Sequence, residues 1–489
     1  MLKIIFLLLM SGGLPVAIAM AGSSLIYILW TGDNPPFVVI HRMVSGIDSF
    51  PLLAVPFFIL AGNLMNNAGI TNRIYNYALA LVGWLKGGLG HVNVVGSVIF
   101  AGMSGTAIAD AAGLGTVEIK AMKDHGYSTE FAVGVTAASA TLGPIIPPSL
   151  PFVIYGMMAN VSVGALFLAG ILPGVLMAVL MMLTVAYYAH KNGWGADVKF
   201  EWPRVIKALA ETAVVIAWPL LLWLLITRLG FPPRTTVISG LVLLFLADKL
   251  FSFQAVLPIM TPVLLIGGMT TGLFTPTEGA IAACVWAMVL GLAWYGTLSW
   301  KMFVKVCLDT VETTSTVLFI VAAASIFGWM LTATGVTAAI SEWVLGFTRE
   351  PWVFLLLANA LMLFVGCFLE PTAAITILVP ILVPICQKLG IDLVHFGLVM
   401  VLNLMIGLLH PPMGMVLFVL ARVAKLSVER TTIAILPWLV PLLGSLVIIT
   451  YAPRPKPGLQ SPRCRMPASA RRSTTACEGP RARRWPERF

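Results

Sequence analysis

The sequence predicts an all-α polytopic membrane protein built as an inverted repeat, each half holding a re-entrant helical hairpin and a helix broken at a Pro-Pro pair. Three observations predict it. Of the 489 residues, 59% are hydrophobic and only 10% charged, with a mean hydropathy of +0.96, far more apolar than a soluble globular chain. Apolar runs recur near the roughly 20 residues a helix needs to cross hydrocarbon, without the short alternating segments of a membrane barrel. Two of these runs are interrupted alike, by "LGPIIPPS" at 142–149 and "LLHPPMGM" at 408–415, although prolines cost a helix hydrogen bonds and straightness.

Along the chain, the first run covers about 4–30. Lys3 and the "AIA" at 17–19 fit a signal peptide, but the apolar stretch continues through "MAGSSLIYILW" to Trp30. An uncleaved first helix is the favoured reading. Further spans are expected at about 51–68, 131–159, 163–189, 208–228, 256–272, 279–298, 315–333, 396–421 and 431–451. The stretches 75–115 and 337–385 are apolar but interrupted by Gly, Pro and Ser. Arg42 in "VVIHRMVSGIDSF", and Lys305, Asp309 and Glu312 in "WKMFVKVCLDTVETT", mark two amphipathic arms lying at the interface. Trp84, Trp194 and Trp300 near span ends suit an aromatic belt.

The halves match in order at one nearly constant offset. "FVVIH" (37–41) meets "FVKVC" (303–307), Gly62 meets Gly328, Gly69 meets Gly335, and Thr106 meets Thr372 within "GTAIAD" and "PTAAIT". With a two-residue shift, Gly143 meets Gly407 and Pro147-Pro148 meets Pro411-Pro412. The loop at 190–207 carries Lys191, Lys199, Arg204 and Lys207, which places it in the cytoplasm. Counting spans outward puts the loop at 116–130 inside and its counterpart near 386–395 outside, so the halves are inverted, as in many secondary transporters. The boundaries follow: a first repeat at 1–190 with hairpin 1 at about 90–115 and a broken helix at 131–159, then connecting helices at 191–255. A second repeat covers 256–451, with hairpin 2 at about 352–383 and a broken helix at 396–421. The remaining segment, 452–489, holds nine arginines and one lysine against Glu478 and Glu487, most of the net +10. Two readings stand for this tail, a disordered extension or non-native translation. The same span count puts it outside, which weighs against a native tail.

Irregular backbone at membrane depth is tolerated only when buried in protein or lining a cavity. Unwound carbonyls and helix C-termini suit a hard cation such as Na⁺, and helix N-termini suit an anion. Two tips meeting two broken helices would therefore make one cation-plus-anion site. At the first tip Ser104, Gly105 and Thr106 are the ion-binding candidates, against a reading as small-residue helix packing. Thr372 takes the same role at the second tip by symmetry. Gly143, Pro147, Gly407 and Gly414 shape the ion site, and Pro148, Pro371, Pro411 and Pro412 the substrate or gating side. Asn63 is a site contact or an interhelical hydrogen bond. Asp110 is functional by default as a carboxylate in the membrane, or else sits at an aqueous edge or caps a helix. Glu370 gates, pairs with a base, or satisfies exposed N–H groups. Glu278, after Thr275 and Thr277, is expected to N-cap a helix. His410 is either a titrating member of the second cation site or a neutral hydrogen-bond donor.

The strings "GMSGTAIADAAGLGTVEIKAM", "LGPIIPPS", "FTPTEGA", "FLEPTAAI", "HFGLVMVLNLMIGLLHPPMG" and "ITYAP" resemble the large membrane subunit of TRAP transporters, the DctM type, from residue 1 to about 453. The resemblance implies Na⁺-driven uptake of an organic acid, for example a C4-dicarboxylate, across the bacterial inner membrane. It implies an elevator-type motion of hairpins and broken helices against a scaffold. It also implies a DctQ-type small four-helix membrane partner and a DctP-type periplasmic solute-binding protein; no nucleic acid is involved and Na⁺ is the only cofactor-like species. Where that family often has Thr, this chain has His410, and segment 229–255 is longer. A second reading is a stand-alone Na⁺- or H⁺-coupled anion transporter that needs no binding protein. An enzyme is disfavoured: the six histidines are scattered, the six cysteines form no cluster, and no catalytic constellation or phosphate-cradling loop occurs.

Overall fold

The apolar run at 4–30 is two helices rather than the single expected span: α1 (Leu2–Ser11) and α2 (Val16–Thr31). Between them Gly13 takes φ +80°, and Pro15, which has no N–H to donate, stands before the second helix, so α2 packs back along α1. Hydropathy does not distinguish a span from a hairpin of equally apolar arms.

The computed structural model describes residues 1–229, 240, 244, 257–270, 274–410 and 414–452. Next come α3 (Phe37–Ile47), a 3₁₀ turn (Phe50–Leu53), α4 (Ala54–Asn67), α5 (Ile70–Val82), α6 (Gly88–Ser104), α7 (Ala107–Ala112) and α8 (Leu114–Asp124). Much of 116–130, expected as a loop, is thus helix α8. The first half closes with α9 (Thr129–Ala140), α10 (Leu150–Met158), α11 (Val163–Asn192) and α12 (Trp202–Leu229). After it come α13 (Met260–Thr270), α14 (Pro276–Met288, continued by a π-helical turn Val289–Trp294), α15 (Trp300–Ala333) and α16 (Val336–Phe347). They are followed by α17 (Pro351–Gly366), α18 (Pro371–Lys388), α19 (Leu393–Gly407), α20 (Met415–Ala424) and α21 (Val428–Tyr451). Pro411, Pro412 and the tail from 453 lie outside the described residues, as does most of 230–256.

Among the described residues the protein is all-helical, and six helical segments are long and apolar enough to cross a membrane. The second interfacial arm does not exist as a separate element. Lys305, Asp309 and Glu312 lie on α15, one unbroken helix that absorbs both the arm and the following span. In the first half the equivalent chain is cut into α3 and α4 because "GIDSFPL" (46–52) contains Gly46 and Pro51, whereas its counterpart "ETTSTVL" (312–318) contains neither breaker.

Met1–Thr450 forms one compact unit. Its main core runs through α4–α15 and α17–α21. A smaller cluster packs α1–α3 on the C-terminal half of α15, where the Phe6 and Phe327 rings lie 4.9 Å apart. Arg42 stacks its guanidinium over Trp329, 4.9 Å from the ring centre, so α3 braces α15. The start of α6 is tied to two loops: Asp197 accepts from the Leu89 N–H at 2.9 Å and from the Tyr127 hydroxyl at 2.6 Å.

Candidate functional site

Helix α6 ends at Ser104 because Gly105 takes the left-handed conformation, φ +62°, which glycine adopts at little steric cost. Thr106 then starts α7, its Oγ1 accepting from the Ala109 N–H at 3.4 Å. Opposite this tip, α9 stops at Ala140 and the chain turns through Gly143 and the cis Pro147-Pro148 pair. Ser149 restarts the helix as the N-cap of α10, accepting from the Phe152 N–H at 3.3 Å and donating to the Pro144 carbonyl. Tip and break interlock backbone to backbone. A Cβ on Gly105 would sit 2.9 Å from the Pro148 oxygen, and one on Gly143 would sit 3.2 Å from the Thr106 oxygen.

The second half repeats the contact with other residues. Helix α17 ends at Gly366, and a Cβ on Gly407 would lie 2.7 Å from the Gly366 backbone. Glu370 then caps α18: its Oε2 accepts from the Thr372 N–H at 3.1 Å, the Ala373 N–H at 3.3 Å and the Thr372 hydroxyl. Two of the N–H groups that this helix start could offer an anion are therefore taken by the protein's own carboxylate.

Both tips open on one cavity of about 350 Å³, walled also by α4 and α15. Asn63, Ser104, Gly105, Thr106, Glu370, Pro371 and Thr372 line it. Asn63 donates to Thr310 Oγ1 at 3.1 Å, joining α4 to α15, so it makes the interhelical bond while lining the cavity. Ser104 Oγ is buried without a hydrogen-bond partner. Glu370 is the one acidic side chain in the described wall, and neither lysine nor arginine is present there. Within an otherwise largely apolar wall, one carboxyl and the Ser104, Thr106, Thr313 and Thr372 hydroxyls face the cavity with no base beside them, which favours a cation over an anion.

The other candidates fall elsewhere. Gly143, Pro147, Pro148 and Gly407 sit behind the tips, the breaks reaching the cavity through Pro144 and Leu408 instead. His410 and Gly414 do not line it, and Pro411 and Pro412 lie outside the described residues. Asp110 is 1% exposed and off the cavity wall. Glu278 forms a capping box with Thr275, accepting from its N–H at 2.8 Å while Thr275 Oγ1 accepts from the Glu278 N–H at 3.3 Å. Sequence reasoning missed Asn66 and Thr313, which also line the cavity. Their signals were the Asn63/Asn66 spacing on one helix face and the "TTST" cluster in an apolar run.

Residues 3–454 match the family described as "Tripartite ATP-independent periplasmic transporter, DctM component". The sialic acid TRAP transporter large permease protein SiaM of Vibrio cholerae is 40% identical over 446 residues, 91% of this chain and 94% of that protein. The C4-dicarboxylate TRAP transporter large permease protein DctM of Rhodobacter capsulatus is 32% identical over 459 residues, 91% of this chain and 94% of that one. In fold the chain is similar to the crystal structure of the Alcanivorax borkumensis YdaH transporter, with a TM-score of 0.57 over 84% of this chain and 86% of that one at 16% identity. The chain belongs to the DctM component family of tripartite ATP-independent periplasmic transporters: a multi-pass permease subunit of the bacterial inner membrane, not an enzyme.

Proposed function

We propose that this chain is the translocation pathway of a tripartite importer that moves an organic acid with Na⁺ and alternates access by an elevator motion. Its partners in this reading are a small four-helix membrane subunit and a periplasmic binding protein that delivers the acid. The carrying observation is the shared cavity, where Ser104, Thr106, Glu370 and Thr372 converge with no basic side chain in the wall. The end of α6 at Ser104 and Gly105, with the tip hydroxyls, would supply the oxygens a hard monovalent cation takes.

Coupling follows from Glu370. When that group is ionised, an acid entering near it meets a repulsion on the order of 3 kcal/mol at about 5 Å and an effective dielectric of about 20. A sodium ion bound first removes it, leaving the Asn63 and Asn66 amides to donate to the substrate. The two halves, 1–190 and 256–451, act in this reading as inverted repeats, each hairpin moving with its own broken helix. The test is reconstitution of all three components in liposomes under an imposed Na⁺ gradient. Uptake by this chain alone, or uptake that follows pH and ignores Na⁺, would overturn the proposal.

A further inference from the structure

Behind the first tip, a second polar cluster is buried away from the cavity wall. Asn93 donates to Glu118 Oε2 at 2.6 Å and to Thr136 Oγ1 at 2.8 Å. Ser139 donates to Asn93 Oδ1 at 2.7 Å, and Ser97 to Ser139 at 3.0 Å. The Thr136 and Ser139 bonds tie α6 to the first part of the broken helix, α9, and the Glu118 bond ties it to α8. Asp110 lies beside the same cluster: a Cβ on Gly115 would sit 2.7 Å from Thr136 Cγ2 and 3.6 Å from the Asp110 carbonyl oxygen, and one on Gly96 would sit 2.8 Å from Glu118 Oε1.

The second half provides an internal comparison. The register that pairs Thr106 with Thr372 pairs Asn93 with Asn359, and the one that pairs Gly143 with Gly407 pairs Ser139 with Asn403. There too the hairpin is tied to its broken helix, Asn403 donating to Asn359 Oδ1 at 2.7 Å and Asn359 to Thr450 at 3.1 Å. That tie is neutral. Thr376 stands where Asp110 does, its hydroxyl donating to the Ala373 carbonyl at 2.8 Å, and Pro384 stands where Glu118 does. Joining a hairpin to its broken helix therefore does not require carboxylates.

The carboxylates of the first half are also uncompensated. Both Asp110 oxygens and Glu118 Oε1 are buried without a hydrogen-bond partner, and each side chain is 1% exposed. Among the described residues the ion pairs are Arg204–Glu201 and Lys207–Glu211, which reach neither. Two carboxylates shut away from water with only one of their four oxygens hydrogen-bonded are strongly disfavoured as anions. Three free oxygens on two carboxylates form a donor set for positive charge.

We propose that Asp110 and Glu118, with Asn93 and Ser97, hold one monovalent cation, a sodium ion or a proton, at a site separate from the tip cavity. The site does not depend on the tips being the sodium site, and its test is independent of theirs.

The test uses the full chain in lipid nanodiscs. It measures bound ²²Na⁺ per chain at saturation and the infrared band of a protonated carboxyl, for the wild type, Asp110→Asn and Glu118→Gln. If sodium occupies the site, each variant binds about one ion fewer. If a proton does, the sodium count is unchanged and a protonated-carboxyl band of the wild type is lost in the variants. Unchanged sodium binding together with an unchanged carboxyl band overturns the proposal. Should Asp110→Asn fail to fold, Glu118→Gln, which keeps an oxygen for Asn93, gives the same reading. Thr106→Val reports on the tips and leaves both signals of this site in place.

Discussion

Gly105→Ala tests how far the tip depends on its seat against the first break. The native φ is +62°, where an L-residue is strained by about 1–2 kcal/mol. The new Cβ would lie 2.9 Å from the Pro148 oxygen and 3.6 Å from its carbonyl carbon. Both are backbone atoms that cannot rotate away, so crowding adds about 1–3 kcal/mol. The roughly 2–5 kcal/mol total is relieved only if the tip moves off the break. If that seat is required for ion binding, the competent fraction falls by the same free energy, raising the apparent sodium half-saturation about 30- to 5000-fold. Gly390→Ala is the control: its φ is +68° with nothing within 4 Å of a new Cβ, so it carries the backbone strain alone. The assay is sodium-dependent uptake in proteoliposomes containing both partners. A Gly105→Ala protein whose half-saturation stays within threefold of wild type would refute the reasoning, and so would a Gly390→Ala protein with the same loss.

Other outcomes follow from the same geometry. Thr106→Val and Thr372→Val should each weaken sodium dependence of uptake; because Thr106 also caps α7, Thr106→Ser should restore it by keeping the hydroxyl. Gly407→Ala would press on the Gly366 backbone at 2.7 Å and should destabilise the protein by about 1–3 kcal/mol, read as a lowered unfolding midpoint in detergent. A double-mutant cycle of Asn359→Ala and Asn403→Ala should show a coupling of about 1 kcal/mol for their buried bond, measured by denaturant unfolding. A coupling indistinguishable from zero would mean the bond ties nothing.

Sequence reading located most helices because an apolar run of span length has few other uses. It failed where an equally apolar chain turns. "GGLP" split the first run, and α8 formed in a segment taken for a loop. The joining of arm and span into α15 could be read only as a missing breaker, the absence of a counterpart to Pro51. At the cavity, Thr106 and Thr372 were legible because symmetry singled them out. Asn66 and Thr313 were not, since what makes them neighbours is packing between helices far apart in sequence. Glu370 was identified, but its three bonds to the start of α18 were only one of several readings of "EPT". The likeness between the Asn93–Ser139 and Asn359–Asn403 bonds emerged only when side-chain contacts were set beside the sequence register.

The unbroken α15 has a mechanical consequence. Its 34 residues make a rod about 51 Å long at roughly 1.5 Å per residue, against a hydrocarbon slab about 30 Å thick. Such a rod must slant or protrude, and Thr313, part of the chamber wall, rides on the same stiff beam as the outlying Lys301 and Lys305. A spin label at Lys301, well away from the chamber, would therefore report any pivoting of that wall, with the shaft itself acting as the lever arm.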